Sequence, residues 1–384
     1  MSDLAEIALL PAGLNDALAP EAAFEAQAVA RLMRSFAARG YQRVRPPLME
    51  FEESLFAGNG QAMAKHAFRL MDPVSRRMMA LRPDMTLQVA RIATTRLKKA
   101  PRPLRLSYAG PVLRVKGSQS NPERQFDQAG VELIGASAPE GDIEVILMAV
   151  ESLIELGVAG LSVDLGMPPL VGALLAGLEG DALANARAAL DRKDAAALAG
   201  QADVLGERLA AVLSALLAAS GAADKALAVL EDLDLPPAAA TEREALVEVA
   251  RRVRREAPDL NLTVDAVENR GFEYHAGVSF TLFARGVTGE LGRGGRYRAG
   301  VGVGRAEAAT GVTLFMDPVL QSLPAPSDRH AIFLPAGTPG ADGRRLRDEG
   351  WTTVAGLDAG RDAAAEARLM NCSHLWKDGK VTEL

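Results

Sequence analysis

Arg124-Gln125-Phe126-Asp127-Gln128-Ala129-Gly130-Val131-Glu132-Leu133-Ile134 is the stretch that decides the fold class. Read with the two-residue period of a strand, Ala129, Val131 and Leu133 point one way, and Gln128, Gly130 and Glu132 the other. One apolar and one polar face on a single strand specify an antiparallel sheet with a packed side and a polar side. Two earlier runs also have strand character, Leu104 to Tyr108 and Val112 to Lys116. In the second, Leu113 and Val115 face the core, so Arg114 and Lys116 fall on the opposite side with Val112. A hairpin through Gly117 to Glu123 then brings these polar positions together with those of the 124–134 strand. Arg, Gln and Glu beside a glycine form a floor for a small polar ligand; the same pattern also fits the solvated face of a half-covered sheet.

Working outward, Phe24, Ala28, Leu32, Met33 and Phe36 recur at helical spacing, and Gly40 is suited to end that helix. Tyr41 to Arg45 is extended and runs into Pro46-Pro47, which forbid helix. Leu81-Arg82-Pro83-Asp84 reads as a loop in which Asp84 caps a helix carrying Leu87, Val89, Ala90, Ile92 and Ala93. From Leu170 to Ala257 the chain turns to Ala and Leu at helical spacing, broken by Gly180, Gly200, Gly221 and Pro236-Pro237, a helical insertion with no chemistry assigned to it. Strand character returns at Asn261 to Val267, Ala276 to Phe283 and Gly311 to Met316, while the glycine-dense 286–304 stretch reads as turns and close backbone approaches. The 328–384 tail alternates strand and helix and ends in a hairpin turning at Asp378-Gly379. The expected organisation is a core domain over 1–165 and 260–321, the insertion over 166–259, a linker over 322–327, and a small α/β domain over 328–384.

Composition narrows the function. The chain has 384 residues, 48% hydrophobic and 24% charged, ordinary for a soluble globular protein. A single cysteine, Cys372, excludes an internal disulfide, and with 4 histidines no clustered Cys/His zinc site is expected. The longest uncharged stretch, Leu209 to Ala223, has 15 residues, against about 20 for a membrane-spanning helix. The acidic start, Met1 to Glu6, lacks the basic region of a signal peptide, so a cytoplasmic location is expected. A net charge of -6 gives no overall attraction to nucleic acid, and the tail from Pro326 carries 8 basic against 9 acidic residues. Gly300-Val301-Gly302-Val303-Gly304 lacks dinucleotide-loop spacing, and there is no Gly-Lys-Ser/Thr phosphate loop. Glu307 to Gly311 lacks the paired acids of a phosphoribosyl pyrophosphate loop. Cys372 and His374 have no identifiable orienting partner, and His66 and His330 read as surface or loop residues.

The order of motifs adds a resemblance. Pro11-Ala12-Gly13-Leu14-Asn15-Asp16, Gly40 to Glu50 and Leu81-Arg82-Pro83-Asp84-Met85-Thr86 resemble the opening of histidyl-tRNA synthetases. Arg114 with Arg124 to Gln128 and Gly130-Val131-Glu132 resembles the second class II motif in its histidyl form. Arg270-Gly271-Phe272-Glu273-Tyr274 resembles the histidine-specific signature, and Gly294-Gly295-Arg296-Tyr297 the approach to the third motif. The coverage is roughly 8–320, with the insertion where that family carries one. The resemblance implies an α+β fold: a class II synthetase-like antiparallel sheet flanked by helices, a helical insertion and a small α/β C-terminal domain. Carried over position by position, it implies histidine contacts at Asp84, Arg114, Gln128, Glu132, Arg270 and Tyr274, with His275 where the family has a second tyrosine and Asp84 one methylene shorter than the usual Glu.

Departures fall mainly on the nucleotide side. Lys116 stands where the second motif has an acid, Phe315 where the third has a small residue, and Pro318 where an arginine holds the ATP phosphates. A charged hydrogen bond of that kind contributes about 1.5–3 kcal/mol, so adenylation is expected to be lost. The tail is also shorter than an anticodon-binding domain. A synthetase-like body without ATP and tRNA functions resembles the family of regulatory subunits of ATP phosphoribosyltransferase, in the first step of histidine biosynthesis. That resemblance implies a non-catalytic protein without cofactor or metal, dimeric through the segment around Gly40 to Glu50. It further implies assembly with a short-form catalytic subunit into a hetero-octamer, with histidine as feedback effector and no nucleic-acid or membrane partner. An active or degenerate histidyl-tRNA synthetase, another amino-acid ligase paralogue and a catalytic phosphoribosyltransferase are the competing readings. Pro318 counts against both ligases.

Overall fold

The computed structural model describes residues 9–117, 122–268, 275–300, 306–325 and 331–384. They form two compact units, meeting in sequence at Pro324 and Ala325. In the first, the strands are β1 (Gln42–Arg43), β2 (Met49–Phe51), β3 (Arg69–Met71), β4 (Met78–Leu81), β5 (Leu104–Leu113), β6 (Gln125–Ile134), β7 (Leu161–Gly166), β8 (Gly221–Ala222), β9 (Asn261–Val264), β10 (His275–Ala284), β11 (Gly292–Ala299) and β12 (Glu307–Phe315). Among the described residues, nine of them make one sheet in the order β1-β5-β6-β12-β11-β10-β7-β9-β8, antiparallel from β5 through β7. The α+β architecture and the antiparallel class expected from the 124–134 alternation are therefore present.

Helices cover both faces of this sheet. On one side α1 (Glu21–Ala38) buries Ala28, Leu32, Met33 and Phe36. It lies in one apolar cluster with Ala109, Ala129, Val131 and Leu133 of the sheet and with Ile146 and Leu153. On the other side α2 (Thr86–Thr95) packs Val89, Ala90 and Ala93 with Leu106, Tyr108, Val112 and Phe126. The polar face of β6 thus looks into the interior beneath α2, and the solvated-face alternative is excluded: Gln128 and Glu132 are fully buried. The 81–84 loop is pinned there because Arg82, itself buried, donates Nε to Pro111 O at 2.8 Å and Nη1 to Pro46 O at 3.2 Å. Gln88 adds Nε2 bonds to Pro47 O and Glu50 Oε1 at 2.8 and 2.9 Å.

Three expectations need correction. Leu104 to Tyr108 and Val112 to Lys116 are not two strands, because β5 runs unbroken through Gly110-Pro111, with Pro111 paired opposite Asp127. The glycine-dense stretch contains the eight-residue strand β11, in which glycine is obligatory rather than loop-forming. A Cβ on Gly294 would lie 2.3 Å from Gly311 O and one on Gly292 2.4 Å from Thr313 O. The segment after Glu50, to which no element was assigned, forms a small antiparallel sheet in the order β2-β4-β3.

Helices between Pro168 and Glu256 occupy the stretch read as an insertion, the longest being α3 (Pro237–Glu256). The second unit has strands β13 (Ala331–Leu334), β14 (Thr352–Ala355), β15 (His374–Lys377) and β16 (Lys380–Glu383) with two helices, as its alternation predicted. Asp378 and Gly379 both take positive φ, 52° and 77°, in the tight turn of the last hairpin.

Candidate functional site

Strand register carries the site. Opposite residues of an antiparallel pair share a face, and β6 pairs Gln128 with Gly110, Gly130 with Tyr108 and Glu132 with Leu106 on one side. On its other side Gly130 meets Thr313 and Glu132 meets Gly311. Further across, Arg293, Gly295 and Tyr297 on β11 lie opposite Thr313, Gly311 and Ala309. One sheet face under α2 therefore presents Arg114, Gln128, Glu132, Tyr108, Thr313, Arg293 and Tyr297. The cavity over it measures about 30 Å³ and is bordered by Asp84, Thr86, Arg114, Glu132, His275, Arg293, Tyr297, Thr313 and Phe315 among others.

Glu132 is its centre. Tyr297 donates its hydroxyl to Oε2 at 2.8 Å and Tyr108 to Oε1 at 3.2 Å, while Tyr108 also bonds Thr313 Oγ1 at 2.8 Å. Burial outweighs these hydrogen bonds and raises the carboxyl pKa to about 8, so at neutral pH it is mostly protonated. Glycine is required around it: a Cβ on Gly311 would fall 1.9 Å from Glu132 Oε2, and one on Gly130 2.5 Å from the Tyr108 hydroxyl. At the other end Asp84 Oδ1 accepts the Thr86 N–H at 2.8 Å, and Asp84 Oδ2 accepts Gln128 Nε2 at 3.0 Å. Gln128 Oε1 accepts the Met85 N–H at 3.3 Å, so both ends of its amide are engaged. Arg114 Nε donates to Pro83 O at 3.2 Å, and burial lowers its pKa. His275 is neutral at pH 7, its pKa pushed down to about 4 by burial and then by the nearby Arg293.

Of the sequence-derived positions, Asp84, Arg114, Glu132 and His275 line this cavity, and Gln128 lies directly behind Asp84. Arg270 and Tyr274 lie outside the described residues. Sequence reasoning missed Thr86, Tyr108, Thr313 and Arg293 as site residues, and Tyr297 was quoted only within a motif. Two-residue counting from Arg114 would have reached Tyr108 had β5 been read as continuous. Arg296, from the same motif as Tyr297, points the other way: Nη2 sits 2.8 Å from Asp142 Oδ2, and the guanidinium also binds the carbonyls of Ser137 and Ala138 at 2.8 and 2.7 Å.

Arg114, Arg293 and Phe315 also border a second, larger cleft of about 710 Å³, where a synthetase-like body is expected to place a nucleotide. Its wall carries Asp16, Glu25, Glu123, Asp127, Glu290 and Asp317 as well as Pro318. Burial and mutual repulsion with Asp317 raise the pKa values of Glu25 and Asp127. With six carboxyls against Arg114 and Arg293, the wall is acidic on balance and disfavours a polyphosphate. Phe315 and Pro318 lie in this wall; Lys116 is exposed and borders neither cavity. Among the described residues no cluster of His, Cys, Asp or Glu is arranged to hold a metal ion, and no helix is long and apolar enough to cross a membrane.

The profile of the histidyl-tRNA synthetase family matches residues 13–319. An ATP phosphoribosyltransferase regulatory subunit from Rhodospirillum centenum is 54% identical over 98% of this chain and 97% of its own. Among solved structures, an ATP phosphoribosyltransferase regulatory subunit/histidyl-tRNA synthetase from Bacillus halodurans superposes with a TM-score of 0.78 over 94% of this chain and 96% of its own, at 23% identity. A chain of the ATP phosphoribosyl transferase (HisG:HisZ) complex from Thermotoga maritima superposes with a TM-score of 0.59, at 20% identity over 76% of this chain and 97% of its own. Both superpositions concern the fold.

Proposed function

Because the chain belongs to the family of ATP phosphoribosyltransferase regulatory subunits, we propose that it partners a short-form catalytic subunit of that enzyme, is needed for its activity, and makes it sensitive to histidine. It is a regulatory rather than an aminoacylating protein. The observation that carries the proposal is the contrast between the two adjoining spaces. Beneath α2 lies a fully buried floor of Glu132, Gln128 and Asp84, and beside it a cleft with six carboxylates and no arginine at position 318. The floor has the chemistry an amino acid with an imidazole side chain needs: carboxylates for the ammonium, a guanidinium for the carboxylate, and Glu132 to exchange a hydrogen bond with an imidazole nitrogen. The proposed histidine-contacting set is Asp84, Arg114, Gln128, Glu132, Arg270, Tyr274 and His275. An amino acid is several times larger than the 30 Å³ cavity, so its entry requires side chains to move.

Occupation of the pocket would favour an inactive arrangement of the complex, with a coupling of about 1–3 kcal/mol as is usual for allostery. The partnership is supported by the catalytic-subunit complex in which a neighbour of the same fold is found. Homodimerisation within a hetero-octamer, in the cytoplasm, completes the reading. The β2-β4-β3 sheet supports a dimer face, since Met49, Leu70, Met71, Val74 and Met78 are all exposed there. The test is phosphoribosyl-ATP formation by a short-form catalytic subunit from the same source, with and without this protein and with histidine titrated in. Activation that histidine reverses supports the reading, and no change in either condition overturns it.

A further inference from the structure

Behind the pocket floor lies a buried ionic cluster that the amino-acid reading does not use. Arg296 and Tyr297 are consecutive on β11 and therefore point to opposite faces of the sheet. On the far face all five N–H donors of Arg296 are engaged. Nε donates to Asp142 Oδ2 at 3.0 Å, Nη1 to the carbonyls of Ala136 and Ser137 at 3.2 and 2.8 Å, and Nη2 to Ala138 O and Asp142 Oδ2 at 2.7 and 2.8 Å. Asp142, in the first turn of the helix Glu140–Leu156, uses its other oxygen to accept the Thr310 hydroxyl at 2.6 Å. Thr310 lies directly opposite Arg296 on β12, so the cluster joins two strands, a helix and the 135–139 loop. Asp142 and Thr310 are both buried, which makes this a fixed geometry rather than a surface ion pair.

At this point β11 needs an anchor. Its ladder to β10 pairs Tyr297 with His275 and Gly295 with Ser279, a step of two positions on β11 against four on β10, and Arg296 falls in the bulge with no pairing to β10. Gly277 belongs to that bulge. A Cβ on it would come 2.7 Å from Arg296 Cδ, so the glycine leaves the space through which the arginine stem passes. The same stretch supplies two residues of the cavity wall, Tyr297 and His275. Tyr297 reaches Glu132 Oε2 at 2.8 Å, and a shift of β11 by about 0.7 Å would carry that bond to the limit of hydrogen bonding. We propose that Arg296, locked to Asp142 on the opposite face of the sheet, is a positioning residue for the pocket: it replaces the missing β10 pairing and holds the Tyr297 hydroxyl on Glu132. Its consequence for ligand affinity rests on the amino-acid-pocket reading above; the positioning itself does not.

The experiment is carbon-13 NMR of the full chain carrying tyrosine labelled at Cζ, whose resonance reports the hydrogen bonding of the hydroxyl. The chain has 4 tyrosines, and Tyr297→Phe identifies the relevant signal by its loss. Asp142→Asn keeps the side-chain shape, and Arg296→Lys keeps the charge but not the five-donor fork. Both should move the Tyr297 resonance toward that of an unbonded phenol. If both fail to fold, Thr310→Val, which removes only the hydroxyl from Asp142, is read in the same way. A cluster that merely holds the fold together would lower the unfolding midpoint and leave that resonance unmoved in the folded state, and this result overturns the proposal. Titration calorimetry with L-histidine gives the second readout. Each variant should weaken binding about three- to tenfold, the worth of one hydrogen bond, and no further when combined with Tyr297→Phe. Unchanged affinity, or losses that add to that of Tyr297→Phe, also overturns it. Wild-type protein that binds no histidine removes the pocket reading instead, and the resonance alone then decides whether Arg296 positions Tyr297.

Discussion

Glu132→Gln tests the protonation state at the centre of the pocket without relying on any ligand. The native carboxyl titrates at about 8, against an ordinary value of 4.5. Its protonated form is thus favoured by folding, and the sign of the linkage follows. Below about pH 4.5 the carboxyl is protonated in both states and opposes nothing. Between 4.5 and 8 the unfolded chain loses this proton while the native state keeps it, so stability falls as pH rises. Above 8 the loss is complete. At 1.36 kcal/mol per unit, the window is worth at most about 5 kcal/mol, an upper bound on the order of magnitude. Gln keeps the shape and hydrogen-bonding capacity of the neutral carboxyl but cannot ionise. Rearranging Tyr108 and Tyr297 around its amide should shift stability by an offset independent of pH, so the difference between the two proteins should change with pH in favour of the variant.

The assay is urea unfolding of both proteins at half-unit steps from pH 5 to 9. It must be followed by far-ultraviolet circular dichroism or by hydrogen exchange of peptides from β5 and β6. Tryptophan fluorescence would report the wrong unit, because both tryptophans, Trp351 and Trp376, lie in the 325–384 unit. Parallel pH profiles for wild type and variant would refute a carboxyl held neutral by burial.

Four further outcomes follow from the same geometry. Glu132→Ala or Gln128→Ala should abolish histidine inhibition of the reconstituted enzyme while leaving its subunits assembled by size-exclusion chromatography; unchanged inhibition would place the effector elsewhere. Histidine affinity should be level between about pH 6.5 and 8 and fall by up to about tenfold per unit on either side, because the complex shares one proton between Glu132 and the imidazole; titration calorimetry across that range checks it. Pro318→Arg should not by itself restore histidine-dependent ATP/pyrophosphate exchange, since the acidic cleft wall and Phe315 remain. Met71→Asp, at a residue 62% exposed, should turn a dimer into a monomer by light scattering if the β2-β4-β3 face is the interface.

The polar floor was legible because a strand's period is two: Gln128 and Glu132 share a face whatever their neighbours do. Asp84 was expected to cap the helix, but the N-cap is Met85 and has no side-chain capping bond; Asp84 stands one residue outside it, with its Oδ1 accepting the Thr86 N–H. Where the sequence misled, a residue's common role hid its local one. Gly110-Pro111 looks like a break, yet at β5 it continues the ladder. Glycines at 292, 294 and 295 look like loop, yet β11 approaches its neighbours so closely that no side chain fits. The β2, β3 and β4 strands are three or four residues long and bury only Ala80, so they show no readable alternation. Thr313 and Arg293 could not be found without register, because they come from two further strands and only pairing puts them on the face of Glu132.

The same register fixes the polar floor independently of position 318 in the cleft beside it. Apart from Asp84, which the 81–84 loop supplies, the floor residues are inner-face positions on strands each hydrogen-bonded to two neighbours. Gly311 and Glu132 illustrate this, since any side chain at 311 displaces the carboxyl opposite. The cleft wall is different. Asp16 lies before α1, Asp317 and Pro318 begin the short helix Met316–Gln321, and Glu290 precedes β11, all at element ends, whereas Glu25 lies within α1 and Asp127 on β6. Substitutions at the element ends alter charge with little effect on packing. Proline at 318 offers a polyphosphate no cation, while Glu132, Gln128 and Asp84 keep their bonds. Position 318 sits at a helix start rather than on a paired strand, so the residue there can change without disturbing the floor's hydrogen bonds.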